Sequence, residues 1–207
     1  MIAPRPHDLL RLSAAAADTL PTDAPAWTHG ALETAPWVVA RRATAPDGFV
    51  AVGIRGAERS QRYAWFVSVN DVRATVSPED LCEVRPPAGR DVPAILALTN
   101  ARALLREARA AWGPTGSVGF ELATGIPTAT TESDLDLMVR SDFLTAATIT
   151  WLAVLFQQLV HLGARVDCQV DTRLGAIALA ELVSASSDVL VRTPSGARLL
   201  ERAVAVP

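Results

Sequence analysis

The chain has 207 residues, half of them hydrophobic, which is enough apolar material for one large domain or two small ones and excludes a disordered or fibrous protein. Its formal net charge of −3 gives no general field that attracts nucleic acid, so nucleic acid is not an expected partner and any anion site must be a local cluster. All 19 basic residues are arginine, so bound phosphate would be neutralised by guanidinium groups, metal ions or backbone N–H groups.

The first ninety residues are predicted to form a β-rich unit. Short segments rich in valine and aromatic residues, typical of strands, lie at residues 37–40, 49–54 and 63–69. The segment Ser77-Pro78-Glu79-Asp80 has the composition of a short helix start, and a proline-rich segment typical of a linker follows at residues 85–90. We therefore expect a β-rich N-terminal domain of residues 1–90 and a second domain of residues 91–207.

Helices and strands alternate in the second half. Apolar residues at helical spacing predict a helix over residues 93–111, which ends before Gly113-Pro114. A glycine turn at residues 113–117, a short helix to Gly125, a strand at 134–139, a long helix from Phe143 and a strand at 165–170 follow. This order predicts a second domain with a mixed α/β sheet, and an α+β fold for the whole chain.

Residues 143–162 carry no Asp, Glu or Arg over a length that could span a bilayer. Gln157, Gln158, three threonines and His161 interrupt the segment, and an alternating strand follows it, which favours a helix that covers a sheet. No signal peptide pattern is visible near the N-terminus, and Cys82 and Cys168 match no zinc spacing. We expect a cytoplasmic protein with two buried thiols and no membrane partner.

The strongest chemical signal is the pair Asp134 and Asp136. Acids and leucines alternate in SDLDL at residues 133–137, so in a strand both carboxylates project from one face while Leu135 and Leu137 enter the core. Carboxylates two residues apart on a strand can converge on hard cations, of which Mg²⁺ is expected and Mn²⁺ is an alternative. An exposed edge strand with two solvated acids is the competing interpretation.

Two further segments support a metal site. The turn Gly113-Pro114-Thr115-Gly116-Ser117 precedes a short helix, and a glycine turn at a helix N-terminus presents backbone N–H groups to phosphate, although a plain surface loop has the same composition. In the later alternating strand, Arg165, Asp167, Gln169 and Asp171 share one face. Asp167 is therefore the predicted third carboxylate for two-metal phosphoryl transfer, and Asp171 is the alternative.

Several arginines lie beside these acids. Arg140 follows the aspartate strand, and Arg165 and Arg173 flank the later one, so each could bind a phosphate through a bidentate guanidinium. We take Gly116, Ser117, Arg140 and Arg165 as the candidate phosphate-binding residues. Ordinary surface or salt-bridging roles are the alternative for each arginine.

Gly116-Ser117 followed by Asp134-x-Asp136 resembles the signature of the polymerase β-like nucleotidyltransferase superfamily. A closer resemblance, to malonate decarboxylase holo-acyl-carrier-protein synthase, rests on five segments from near the N-terminus to near the C-terminus: RPHDLL at residues 5–10, WGPTGSVGFELATG at 112–125, SDLDL at 133–137, RVDCQ at 165–169 and VRT at 191–193.

This resemblance implies a reaction and its partners. The family transfers a phosphoribosyl-dephospho-CoA group from triphosphoribosyl-dephospho-CoA to a serine of the malonate decarboxylase acyl carrier protein and releases diphosphate. Its catalytic metal ligands fall on Asp134 and Asp136, and Asp167 matches the third acid less closely. A non-catalytic nucleotide-binding or antitoxin-like module, or a nucleotidyltransferase that uses another donor such as ATP, stays open as an alternative.

Overall fold

The computed structural model of the chain describes residues 3–106 and 110–205. It divides into two compact units, Met1–Ser77 and Pro78–Pro207, each of which is described by itself. Helices and sheets occur in both, which confirms the predicted α+β fold. The proline-rich segment at residues 85–90 lies within the second unit, and the boundary that its composition predicts after residue 90 stays a prediction.

The first unit is built on a five-stranded antiparallel sheet. Its strands are ordered β4-β3-β2-β1-β5, and one helix accompanies them. The bounds are β1 Leu9–Leu12, α1 Trp27–Thr34, β2 Trp37–Ala40, β3 Phe49–Arg55, β4 Arg62–Ser68 and β5 Val72–Val76. Leu10, Val38, Val52 and Val67 are fully buried in its core. Three of these strands, β2 to β4, confirm the sequence prediction; β1 and β5 were not predicted.

The second unit is built on a six-stranded mixed sheet in the order β11-β10-β9-β8-β7-β6. Only β7 and β8 pair in parallel among the described strands; the other neighbours are antiparallel. The strand bounds are β6 Ala111–Pro114, β7 Leu135–Arg140, β8 Val166–Thr172, β9 Gly175–Ala178, β10 Asp188–Thr193 and β11 Gly196–Glu201. The mixed sheet that the alternation of elements predicts is therefore confirmed.

Five helices accompany this sheet in the described part of the second unit. They are α2 Pro93–Leu105, α3 Gly116–Thr124, α4 Ala146–Leu159, α5 Leu179–Leu182 and α6 Arg202–Ala205. Helix α4 connects the parallel pair β7 and β8, as a crossover between parallel strands requires. Its Leu152, Leu155 and Leu159 are buried, at the spacing of one helical face. No helix among the described residues is long and apolar enough to cross a membrane.

Two predicted segments differ from the structure. Helix α2 ends at Leu105, and the predicted helical residues 107–109 lie outside the described residues. The glycine turn predicted at residues 113–117 is wrong in its first half, because Gly113 lies in β6 opposite Met138. A Cβ on Gly113 would lie 1.9 Å from the carbonyl oxygen of Pro78, so this glycine permits close backbone packing and not a turn.

Candidate functional site

The alternation of acids and leucines places the aspartates as the sequence predicts. Leu135 and Leu137 are buried, whereas Asp136 is only partly buried. Asp134 immediately precedes β7, so it lies just outside the hydrogen-bonded part of the strand. Asp136 lies opposite Asp167 in the parallel register of β7 and β8. Neighbouring strands are about 4.8 Å apart, so the two carboxylates start from adjacent backbone positions on one face of the sheet.

Gly116 brings the glycine-serine segment to these acids. It has a φ of +60° at the first residue of α3, a conformation that glycine adopts without steric cost. A Cβ on Gly116 would lie 1.9 Å from the Oδ2 atom of Asp136. The backbone N–H of Thr115 also donates to the carbonyl oxygen of Asp136, at 2.8 Å. The N-terminus of α3 and the Asp136 carboxylate are therefore direct neighbours, and any side chain at residue 116 would displace one of them.

Arg165 connects the other two acids. Its Nη2 atom lies 3.3 Å from both carboxylate oxygens of Asp167, and its Nη1 atom lies 4.0 Å from Oδ2 of Asp134. The Arg165 side chain is 71% exposed and that of Asp167 is 49% exposed. These contacts are long and accessible to solvent, so the ion pairs hold the acids weakly. The three predicted acids and Arg165 thus gather at the start of β7 and β8.

Arg140 and Asp171 lie elsewhere. They stand opposite each other at the far ends of β7 and β8, four residues and about 13 Å along the strands from Asp136 and Asp167. The Arg140 guanidinium donates to Glu79 Oε1 at 2.6 Å and to Asp171 Oδ2 at 2.7 Å. The structure therefore does not bring Arg140, a predicted phosphate ligand, to the acids. It also separates Asp171 from them, which favours Asp167 as the third acid.

A pocket of about 310 Å³ opens beside the acids. Asp136, Asp167 and Arg165 line its charged part, and Phe156 and Leu159 of α4 belong to its apolar part. Arg192, which was not among the predicted phosphate ligands, also lines this pocket. It lies on β10, opposite Ala176 of β9, two strands away from Asp167. Its one sequence signal is the family-like segment VRT at residues 191–193, but strand order cannot be counted along the sequence, so spacing does not place this arginine beside Asp167.

Glu121 anchors the connection that leads to Asp134. Its buried carboxylate accepts from Arg90 Nε at 2.6 Å, from Arg90 Nη2 at 2.9 Å, and from the N–H groups of Thr128 and Ala129 at 2.8 and 2.9 Å. Burial would raise the pKa of this carboxyl, but the hydrogen bonds from Arg90 and the two N–H groups outweigh it and hold the pKa below its usual range. Glu121 is therefore charged and fully bonded inside the unit.

The acids at the start of β7 and β8 offer the oxygen ligands that a magnesium ion needs. No group of three or more His, Cys, Asp or Glu side chains among the described residues forms a preformed metal cage. Mg²⁺ is usually held by one or two carboxylates and completed by waters and substrate phosphates. Asp134 and Asp136 supply oxygen ligands of this kind, with Asp167 in register beside them. This arrangement fits a Mg²⁺ ion that is bound together with a phosphate ligand better than it fits an ion held permanently by the protein alone.

Neither cysteine offers a nucleophile. Cys168 is a buried residue in the lining of the pocket, and burial raises the pKa of its thiol to about 12. Cys82 is only half-buried, so the expectation of two buried thiols holds for Cys168 alone. Burial and the neighbouring Glu79 carboxylate raise the pKa of Cys82 to about 11. Both thiols are protonated at neutral pH.

Comparisons with known proteins agree over both units. The family described as phosphoribosyl-dephospho-CoA transferase MdcG C-terminal domain matches residues 80–203, and the corresponding N-terminal domain family matches residues 5–78. No solved structure matches the chain.

Curated relatives named phosphoribosyl-dephospho-CoA transferase are similar over nearly the whole chain. A protein of Pseudomonas fluorescens is 42% identical over 198 residues, which are 95% of this chain and 93% of the relative. One from Pseudomonas putida is 40% identical over 200 residues, 97% of this chain and 95% of the relative. One from Azotobacter vinelandii is 39% identical over 202 residues, 96% of this chain and 93% of the relative.

Proposed function

The chain belongs to the MdcG family of phosphoribosyl-dephospho-CoA transferases, and we propose that it transfers the phosphoribosyl-dephospho-CoA group from triphosphoribosyl-dephospho-CoA to a serine of the malonate decarboxylase acyl carrier protein, with release of diphosphate. The relatives' name supports the transferred group. One structural observation carries the proposed site: the Asp136 carboxylate lies against Gly116, at the N-terminus of α3.

Asp134 and Asp136 would hold Mg²⁺, or Mn²⁺ in its place, when the donor is bound. Their carboxylate oxygens are the hard ligands that these ions prefer. A divalent cation at this position supplies positive charge that stabilises the attacking oxygen and the departing diphosphate. Gly116 and Ser117 contribute the backbone N–H groups at the start of α3, where the helix dipole favours a phosphate oxygen.

Asp167 accepts the proton of the attacking serine. The serine oxygen forms a bond to the α-phosphorus of the donor, the bond from that phosphorus to the diphosphate breaks, and the serine proton moves to the Asp167 carboxylate. Asp167 is suited to this role because it is half exposed beside the pocket and lies opposite Asp136. Its contact with Arg165 is long and solvent-exposed, so the carboxylate stays accessible to the serine proton.

Arg165 and Arg192 bind the phosphates of the donor. Both line the pocket that contains Asp136 and Asp167, and guanidinium groups bind phosphate through two parallel hydrogen bonds. Arg165 is exposed and can exchange its long contacts to the acids for contacts to phosphate oxygens. Arg140 has no part in this assignment, because its guanidinium donates to Glu79 and Asp171.

The test is to mix the protein with the donor, Mg²⁺ and the apo carrier and to measure the mass of the carrier. We expect the carrier to gain the mass of the phosphoribosyl-dephospho-CoA group, and we expect no gain when Mg²⁺ is chelated. Nucleotide binding without any mass gain would indicate a binding module, and a gain only with ATP as the donor would indicate a different nucleotidyltransferase. Either result contradicts the proposal.

A further inference from the structure

The pocket beside the acids is too small for the whole donor, if the proposed function holds. Ligand pockets for drug-sized molecules measure about 300 to 1,000 Å³, and this one, at about 310 Å³, is at the lower limit. The donor contains two ribose rings, an adenine, several phosphates and a long pantetheine arm, so it exceeds a drug-sized ligand. A large part of the donor must therefore lie outside this pocket.

A second cavity adjoins the first. It measures about 470 Å³ and lies between α4 and α5. Phe156 of α4 and Ala180 of α5 line both cavities, so the two cavities are neighbours along these two helices. We call the second cavity the α4–α5 groove. It gives a ligand that starts at Asp136 and Asp167 a path onward across the surface of the same unit.

The two cavities differ in charge. Arg165 and Arg192 line the pocket beside the acids, whereas the α4–α5 groove is lined by uncharged side chains among the described residues. The phosphates of the donor are stabilised where the guanidinium groups are, and burying them in an uncharged groove would be costly. The groove is thus suited to an uncharged part of the donor.

The shape of the groove favours a flexible chain. Thr150, Ala153, Val154 and Gln157 of α4 line it at the i, i+3, i+4 and i+7 positions of one helical face, a strip about 10 Å long. Ala153 and Ala180 are small, which leaves a narrow path, and Val154 is 54% exposed and would gain from being covered. The Thr150 hydroxyl and the Gln157 amide can form hydrogen bonds with amide groups.

We propose that the α4–α5 groove holds the pantetheine arm of the donor while its phosphates lie in the pocket with Asp136, Asp167 and Arg192. The pantetheine arm is the terminal, uncharged part of dephospho-CoA, a chain of methylene, methyl, amide, hydroxyl and thiol groups. The adenine is a poorer candidate, because phosphate-bearing groups flank it on both sides in the donor.

The experiment compares two probes, dephospho-CoA and ADP, of which only dephospho-CoA carries this arm on its β-phosphate. Calorimetry on the full chain should show dephospho-CoA binding at least about tenfold more tightly than ADP. Ala153→Trp, which fills the groove, should abolish that preference and leave ADP affinity within about twofold. Ala147→Trp is the matched control, since Ala147 is an exposed α4 residue outside the groove lining, and it should keep the preference.

Val154→Asp provides a second variant in case the tryptophan disturbs folding, because Val154 is already exposed. It should also reduce the preference for dephospho-CoA. Equal losses for both probes, or an unchanged preference in both groove variants, would overturn the proposal. So would a groove variant that weakens only the interaction with the carrier. Since probe binding needs no turnover, failure of the proposed transfer reaction would appear separately, as a carrier without mass gain.

Discussion

Arginine and carboxylate side chains meet at both ends of strand β7, but the distances between them and their exposure to solvent differ. At the far end, Arg140 is only 11% exposed and lies 2.6 and 2.7 Å from two carboxylates, those of Glu79 and Asp171. At the near end, Arg165 is 71% exposed and lies 3.3 and 4.0 Å from Asp167 and Asp134. The charges are therefore tightly paired at one end and loosely gathered at the other.

This difference separates stability from function. A buried guanidinium between two carboxylates fixes the chain segments that carry it, and the removal of one partner is strongly destabilising. The long, solvent-exposed contacts of Arg165 contribute little to folding, and they leave the half-exposed Asp167 carboxylate accessible. We expect substitutions at the near end to reduce catalysis and substitutions at the far end to reduce stability.

The largest expected effect follows from Asp136→Asn. The substitution removes a negative charge beside Gly116 and keeps the size of the side chain, so the transfer rate should fall by about 10³-fold or more. The Tm should change by no more than about 2 °C, because the asparagine side chain has the size of aspartate and fits against Gly116 in the same space. Carrier mass spectrometry and thermal unfolding measure the two quantities. A large fall in Tm with retained activity would mean that Asp136 contributes to stability and not to catalysis.

A second pair of variants compares the two ends directly. Asp167→Asn should lower the transfer rate by about 10²-fold, the usual contribution of one general base, with little change in Tm. Asp171→Asn should leave the rate within about threefold and lower the Tm by several degrees, because Arg140 would lose one of its carboxylates. Rate and Tm are measured for both proteins under one condition. The opposite pattern would make Asp171 the third acid.

Much of the near end could be predicted from the sequence, because the face on which each acid lies depends on alternation within a single strand. Alternation in SDLDL and in residues 165–171 places Asp136 and Asp167 on one face, and the burial of Leu135, Leu137 and Cys168 follows the same rule. Family resemblance then assigned the metal ligands. The glycine-serine segment was predicted as a phosphate site, although its contact with Asp136 depends on strand pairing.

The missed features depend on pairing between distant segments. Arg140 could be assigned to phosphate only because nothing in the sequence places Glu79 beside it, 61 residues away. Arg192 enters the pocket through the order β10-β9-β8, which sequence spacing does not encode. Strand β1 has the composition LLRL, with three apolar residues in four, so it lacks the alternation that identifies a half-buried strand.

The smallest expected effect on the rate comes from the tight Arg90–Glu121 ion pair. Substituting Glu121 tests whether this ion pair helps to position the acids at the near end. Glu121 and Glu79 each accept from an arginine Nε at 2.6 Å, but Glu121 also fixes Thr128 and Ala129, in the connection that leads to Asp134. Glu121→Gln should lower the Tm by about 5 to 10 °C and the rate by about tenfold. Glu79→Gln, the matched control, should lower the Tm while the rate stays within about threefold.

The pH dependence of the Tm distinguishes the charge of Glu121 from its shape. The folded protein holds the pKa of this carboxyl below its usual range, so the stabilisation is present above the unfolded-state pKa, about 4.3. It is lost as the pH falls through the folded-state value. The Tm difference between the wild type and Glu121→Gln should therefore be largest near pH 7 and shrink below about pH 4. A Tm difference that is independent of pH would mean that the amide disrupts packing. The charge of Glu121 would then not be the source of its stabilising effect.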